Sequence, residues 1–284
     1  MLKLSEFLGK TAISMLHLNF RSEKIWVKPE GRRQLLPVFH KLRILNLLNI
    51  PEECDLTWTM FLLQGAPNLK KLLIVVRDHL CLMVTGEQRK KGAFSEKDKG
   101  LELEPSASDF KHHNLAGLSI YGRFQAEDKL VSYARRIMQA AVNLEDIKLY
   151  KSPVCQRCKH MRQEWTLKEK SSLSYKIKEG MPSLVRIHFP SLGEVRDHLC
   201  LMVTGEHRQK GAFSEEKDKG LEWEPSASDF KHHNLAGLSI YGRFQGEDKL
   251  VSYAKSIMQA AVNLEDIKLY KSPVCQRCKH MRGE

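Results

Sequence analysis

An apolar residue followed by apolar residues three and five places later recurs along this chain. The sets are Ile13-Leu16-Leu18, Leu42-Leu45-Leu47, Leu69-Leu72-Ile74 and Leu115-Leu118-Ile120, then Leu144-Ile147-Leu149, Leu184-Ile187-Phe189, Leu235-Leu238-Ile240 and Leu264-Ile267-Leu269. Side chains alternate across an extended strand, so the second and third members of a set face one side together. The first member packs where the chain enters the strand. The sets opening at Ile13, Leu42 and Leu69 follow one another at 27–29 residues, as do those at Leu115 and Leu144 and those at Leu235 and Leu264. Most open on a polar residue: Asn68, Asn114, Asn143 or Ser183.

Helical patterns fall between the strands. Residues 127–142 place Leu130, Ala134, Ile137, Met138 and Ala141 on one stripe, and residues 247–262 repeat it. Residues 55–64 read as a shorter helix with Asp55 as its cap, and residues 169–178 as another, ahead of Gly180 and Pro182. The N-terminus reads as helix followed by strand. Residues 85–113 and 204–233, rich in Gly, Ser, Lys and Glu, read as solvated irregular insertions. His112-His113 and His232-His233 fall at their ends and are expected in solvent. Trp26 and Trp58 read as core or groove aromatics, Trp165 and Trp223 as surface residues.

Strand and helix in alternation, with this strand signature, predict an α/β leucine-rich-repeat solenoid. Its parallel strands would line the concave side and its helices the convex side, with long irregular insertions. The first unit is residues 1–191. The second, residues 192–284, carries a near-identical copy of residues 76–162 and is expected to continue the solenoid. The copies differ by one inserted Glu in Ser214-Glu215-Glu216 and by Gln88/His207, Lys90/Gln209, Leu103/Trp223, Ala126/Gly246, Arg135/Lys255 and Arg136/Ser256. Packing constrains buried positions and leaves surface ones free. Here surface residues are copied too, which points to a recent duplication or to two neighbouring copies joined in one chain.

Composition narrows the function. The chain has 284 residues, 42% of them hydrophobic, enough for a real core. No run approaches the ~18 apolar residues of a membrane span, and the start lacks the features of a signal peptide. Cytoplasm or nucleus is the expected location. The formal net charge of +12 allows a basic nucleic-acid or acidic-surface binder. The charge is dispersed among acids, so nucleic acid is the weaker reading. Seven cysteines, an odd number without a secretion signal, argue against a disulfide framework.

The residues also resemble the C-terminal part of grass F-box proteins with leucine-rich repeats and an FBD-type end. The resemblance rests on HLNFRSEKIWVKPEG (His17–Gly31), LLPVFHKLRILNL (Leu35–Leu47), DLTWTMFLLQGAPNLKKL (Asp55–Leu72), DFKHHNLAGLSIYG (Asp109–Gly122), AAVNLEDIKLYKSPVC (Ala140–Cys155) and KSSLSYKIKEGMPSLVRIHFPS (Lys170–Ser191). It implies a non-catalytic, substrate-recognising repeat domain of a Skp–cullin–F-box ubiquitin ligase. Skp-type adaptor binding would require an F-box upstream, and no F-box-like segment stands ahead of Ile13. The chain departs from the family order where the duplicated block restarts after Ser191.

The candidate site is the concave strand face. Outward positions there are Lys71, Leu73, Asp146, Lys148, Arg186, His188, Asp266 and Lys268, a mix of charge and apolar area suited to a protein partner. A second candidate is Cys155-x-x-Cys158-x-His160, repeated as Cys275-x-x-Cys278-x-His280. Two thiolates at this spacing bind one Zn²⁺ from a tight turn, with His as a third ligand, and two copies together could complete a site. Surface cysteines carried along by the duplication are the plainer reading, and no other cofactor is expected. No GxGxxG, GxxxxGK[ST], HExxH or GxSxG occurs, so no catalytic residue is assigned and no enzyme is expected.

Overall fold

The computed structural model describes residues 1–9, 11–20, 25–51, 54–77, 110–122, 124, 129–151, 164–181, 184–191, 231, 233–242 and 249–271. Each apolar set lies on a strand or at its entrance. The strands are β1 (Met15–Asn19), β2 (Ile44–Pro51), β3 (Lys71–Arg77), β4 (Gly117–Gly122), β5 (Asp146–Lys151), β6 (Arg186–His188), β7 (Gly237–Gly242) and β8 (Asp266–Lys271). Among the described residues they form one open, eight-stranded sheet in the order β6-β5-β4-β3-β2-β1-β8-β7. Every pairing is parallel.

Register turns the sequence pattern into two apolar rungs. Leu238, Ile267, Leu16, Leu45, Leu72, Leu118, Ile147 and Ile187 align across the sheet. Ile240, Leu269, Leu18, Leu47, Ile74, Ile120 and Leu149 form the next rung. Both point into one core with the entry residues Ile13, Leu42, Leu69, Leu115, Leu144 and Leu264. The exception is Leu184, which is fully exposed while its neighbour Val185 is buried. The strand entrance there is one residue shorter than the spacing rule expects.

Hydrogen bonds at the strand entrances repeat as well. Two successive N–H groups donate to one carbonyl of the neighbouring repeat. Ser14 and Met15 donate to Glu265, Arg43 and Ile44 to Ser14, and Lys70 and Lys71 to Arg43. Ala116 and Gly117 donate to Lys70, and Glu145 and Asp146 to Ala116. The polar residue ahead of the entry leucine adds a side-chain bond to the preceding repeat. Asn68 Nδ2 donates to the His40 carbonyl at 2.7 Å, Asn114 to Pro67 at 2.9 Å, Asn143 to His113 at 2.7 Å and Asn263 to His233 at 2.7 Å. Buried carbonyls at the turns thus acquire partners.

Helices cover the core. They are α1 (Leu4–Leu8), α2 (Arg32–Phe39), α3 (Met60–Gly65), α4 (Lys129–Ala140), α5 (Leu167–Lys178) and α6 (Lys249–Ala260). A 3₁₀ turn at Leu56–Thr59 leads into α3, and Asp55 caps it by accepting from the Thr57 N–H at 2.9 Å. In α4 the expected stripe is buried at Leu130, Ala134, Ile137 and Ala141, with Met138 half-buried. Thr166 and Glu169 cap α5 reciprocally. Helix α2 escapes the sequence reading because Pro37 lies inside it, where a proline ordinarily signals a break. Glu30 is buried at the start of α1, where its carboxylate accepts from the Leu4 N–H at 2.6 Å and from Ser5.

The aromatic expectations divide. Phe20 sits between Trp26 and Trp58 at centroid distances of 5.5 and 5.3 Å, inside the core. Trp165 is no free surface residue. It packs between Phe124 and Phe189, with the Lys151 ammonium 4.8 Å from its ring. Trp223 and most of the two insertions lie outside the described residues.

The second block joins the same sheet at the β1 edge, not beyond β6. Strand β8 pairs with β1, Asp266 against Met15 and Lys268 against His17. Its twin β5 pairs with β6, Asp146 against Arg186 and Lys148 against His188. One strand sequence therefore meets an x-apolar-His partner in both places.

Candidate interaction face

The face opposite the core carries three rows. The first runs Gly237, Asp266, Met15, Ile44, Lys71, Gly117, Asp146, Arg186. The second runs Ser239, Lys268, His17, Asn46, Leu73, Ser119, Lys148, His188. A third, toward the strand ends, holds Asn19, Leu48, Val75, Tyr121, Tyr150 and Tyr270. Lys71, Lys148, Arg186 and His188 are exposed, and Asp146, Asp266 and Lys268 are half-buried. Leu73 is not open surface. It is buried with Leu48, Tyr121 and Tyr150 in a second apolar cluster, where the two tyrosine rings stack at 4.0 Å. Burial pushes the Tyr121 phenol well above its ordinary range, so it stays neutral.

At the β5–β6 end, Asp146 gathers a guanidinium and an imidazole. Its Oδ1 accepts from Arg186 Nε at 2.9 Å and lies 2.8 Å from His188 Nε2. The His188 hydrogen bond, helped by Arg186, holds the Asp146 carboxyl below the usual carboxylate range. Lys148 stands beside them on the same face.

At the β8–β1 seam the matching aspartate meets a buried histidine. His17 is 6% exposed. The Asn46 amide donates to its Nδ1 at 3.1 Å, which places the ring proton on Nε2. That nitrogen lies 3.5 Å from Asp266 Oδ1, too far for a hydrogen bond, and neither atom has one. Lys268 Nζ approaches the other carboxylate oxygen at 3.3 Å. Burial lowers the affinity of His17 for a proton, Asp266 opposes this and Lys268 reinforces it.

His17 and Asn46 were missed from sequence because alternation assigns a face and not the depth on it. His112 was misread for a related reason. It is 2% exposed, with Nε2 on the Ala66 carbonyl at 2.9 Å and Nδ1 accepting from the Leu115 N–H at 3.1 Å. It staples one repeat to the next, while His113 is exposed as expected.

No family model, curated protein or solved structure matches this chain at a significant level. Among the described residues, no group of three or more His, Cys, Asp or Glu could hold a metal ion. Cys155, Cys158, His160, Cys275, Cys278 and His280 lie outside the described residues. Among the described residues no helix is long and apolar enough to cross a membrane.

Proposed function

We propose that the chain is a leucine-rich-repeat solenoid related to F-box/FBD proteins and that it binds a protein partner without catalysing a reaction. The architecture is supported by in-register apolar rungs, by entry asparagines bonded to the preceding repeat, and by helices packed behind parallel strands. One observation carries the binding reading: Lys71, Lys148, Arg186 and His188 stand exposed on one face around half-buried aspartates and a buried apolar strip. Charged groups around a flat apolar centre steer a partner and fix its register. Recognition of a ubiquitin-ligase substrate is the role this reading favours, and adaptor recruitment would need an F-box in the same polypeptide.

The test compares three proteins as bait in plant extract: wild type, Lys148→Glu with Arg186→Glu, and Lys168→Glu with Lys170→Glu on α5. A defined partner should be retained by wild type and the α5 variant and lost by the face variant. Equal capture by all three would remove the face from consideration. Capture of DNA or RNA, weakening steeply with salt, would favour the basic nucleic-acid reading instead.

A further inference from the structure

The two blocks hold the same residues in two settings, so a difference in exposure measures a neighbour. In the first block the side facing β3 is covered. Tyr133 and Thr59 hydroxyls lie 2.6 Å apart, Asn114 bonds to Pro67, and β4 pairs with β3 from Lys71 against Gly117. Leu115, Leu118 and Ile137 are then 0–1% exposed and Tyr133 is 3% exposed. In the second block the equivalent Leu235, Leu238 and Ile257 are only half-buried, and Tyr253 is 51% exposed. Strand β7 ends the sheet on that side among the described residues.

The opposite end is also open. Strand β6 is the last strand there among the described residues, and Leu184, Leu167 and Tyr175 are 102%, 82% and 68% exposed around it and on α5. β6 resembles β3 in what it offers. Each has a long basic residue in the first row, Arg186 or Lys71, followed by an inward apolar residue, Ile187 or Leu72. In the first block the Lys71 side chain lies over Gly117, where a Cβ added to the glycine would stand 3.9 Å from Lys71 Cγ. At the equivalent Gly237 an added Cβ would meet only Asp266 of β8, at 4.0 Å, with no further strand beside β7 among the described residues.

All strands run one way. Two β6 edges, or two β7 edges, can meet about a two-fold axis only in antiparallel fashion. A β6 edge against a β7 edge prolongs the parallel ladder. We propose that the chain self-associates head to tail, with β6 and α5 of one copy seated on β7 and α6 of the next. Arg186 then falls opposite Gly237, and Tyr253 enters an interface as Tyr133 does. Such a contact is heterologous and leaves every pair with one free end of each kind, so assembly grows with concentration.

Sedimentation velocity of the full chain, from low to high micromolar, tests this with variants at exposed positions. One variant blocks the β6 end (Tyr175→Glu with Leu184→Glu) and the other the β7 end (Ser239→Glu with Tyr253→Glu). Wild type should gain mass with concentration, and each variant alone should stay monomeric. An equimolar mixture of the two should form dimers and nothing larger, because one intact end of each kind remains. A wild type that stays monomeric, a singly blocked variant that still associates, or a mixture that stays monomeric would each overturn the proposal. Hydrogen exchange on wild type supplies a readout free of substitutions. Amide protection across Gly237–Gly242 should rise with concentration, and protection independent of concentration would count against the contact.

Discussion

Replacing His112 by alanine should cost about 3 kcal/mol of stability at pH 8. The ring sits between two repeats, bonded to the Ala66 carbonyl and to the N–H groups of Leu115 and Asn114 at 2.9, 3.1 and 3.3 Å. Each such bond contributes ~1 kcal/mol net, and orphaning a buried partner costs at least as much. A second effect follows from the ring's protonation. Burial lowers its proton affinity, partly opposed by the Ala66 carbonyl. A proton added at Nδ1 would face two N–H donors. The folded affinity therefore lies below that of the unfolded chain, and the ring's contribution is complete above pH ~6.5. It is lost as pH falls below that value, at up to ~1.4 kcal/mol per pH unit. His17 acts in the same direction, so the difference between wild type and variant isolates His112. Urea unfolding followed by the fluorescence of buried Trp26 and Trp58, from about pH 8 to about pH 5, measures both effects. The gap between the two proteins should be largest at pH 8 and shrink in acid, and exposed His113→Ala should stay within ~0.5 kcal/mol of wild type. A gap below ~0.5 kcal/mol, or one that does not change with pH, would refute the stapling role.

Other substitutions probe other joints. Glu30→Ala should destabilise by roughly 2–3 kcal/mol in the same unfolding assay, since Leu4 and Ser5 lose a buried charged acceptor at the start of α1. Gly65→Ala would bring a Cβ to 2.5 Å from Leu35 Cβ, and a loss of about 1–3 kcal/mol is expected as α2 is pushed from α3. Tyr133→Phe should cost about 1 kcal/mol in the same assay through its bond to Thr59, and no measurable loss would count against that bond.

The strands were legible because their rule is local. Leu72 with Ile74, or Ile147 with Leu149, alternates within a few residues, and only an extended chain puts both on one side. The stripe of α4 and the Asp55 cap were legible for the same reason. Leu184 was not, because the rule counts backward from Ile187 and cannot see that the turn admits Val185 instead. Pro37 hid α2, since propensity argued against a helix that packing against α3 sustains. On the face opposite the core, alternation alone placed Lys148, Arg186 and His188, and all three are exposed there. Leu73 and His17 sit on that face too, yet both are buried, and neighbours distant in sequence decide that. The placement of β8 was the least accessible feature. Asp266–Lys271 and Asp146–Lys151 are the same six residues, so nothing within them distinguishes the β1 edge from any other.

That placement shapes how the protein must be made. Ser14 and Glu265 share a hydrogen bond although 251 positions separate them. A ribosome releases β1 long before its neighbour β8. Until then one flank of β1 has no strand beside it, and an unpaired flank of this kind invites stray pairing with other nascent chains. A premature stop ahead of β8 would make that exposure permanent, so truncated products should depend on chaperones far more than a polypeptide that includes β8 does.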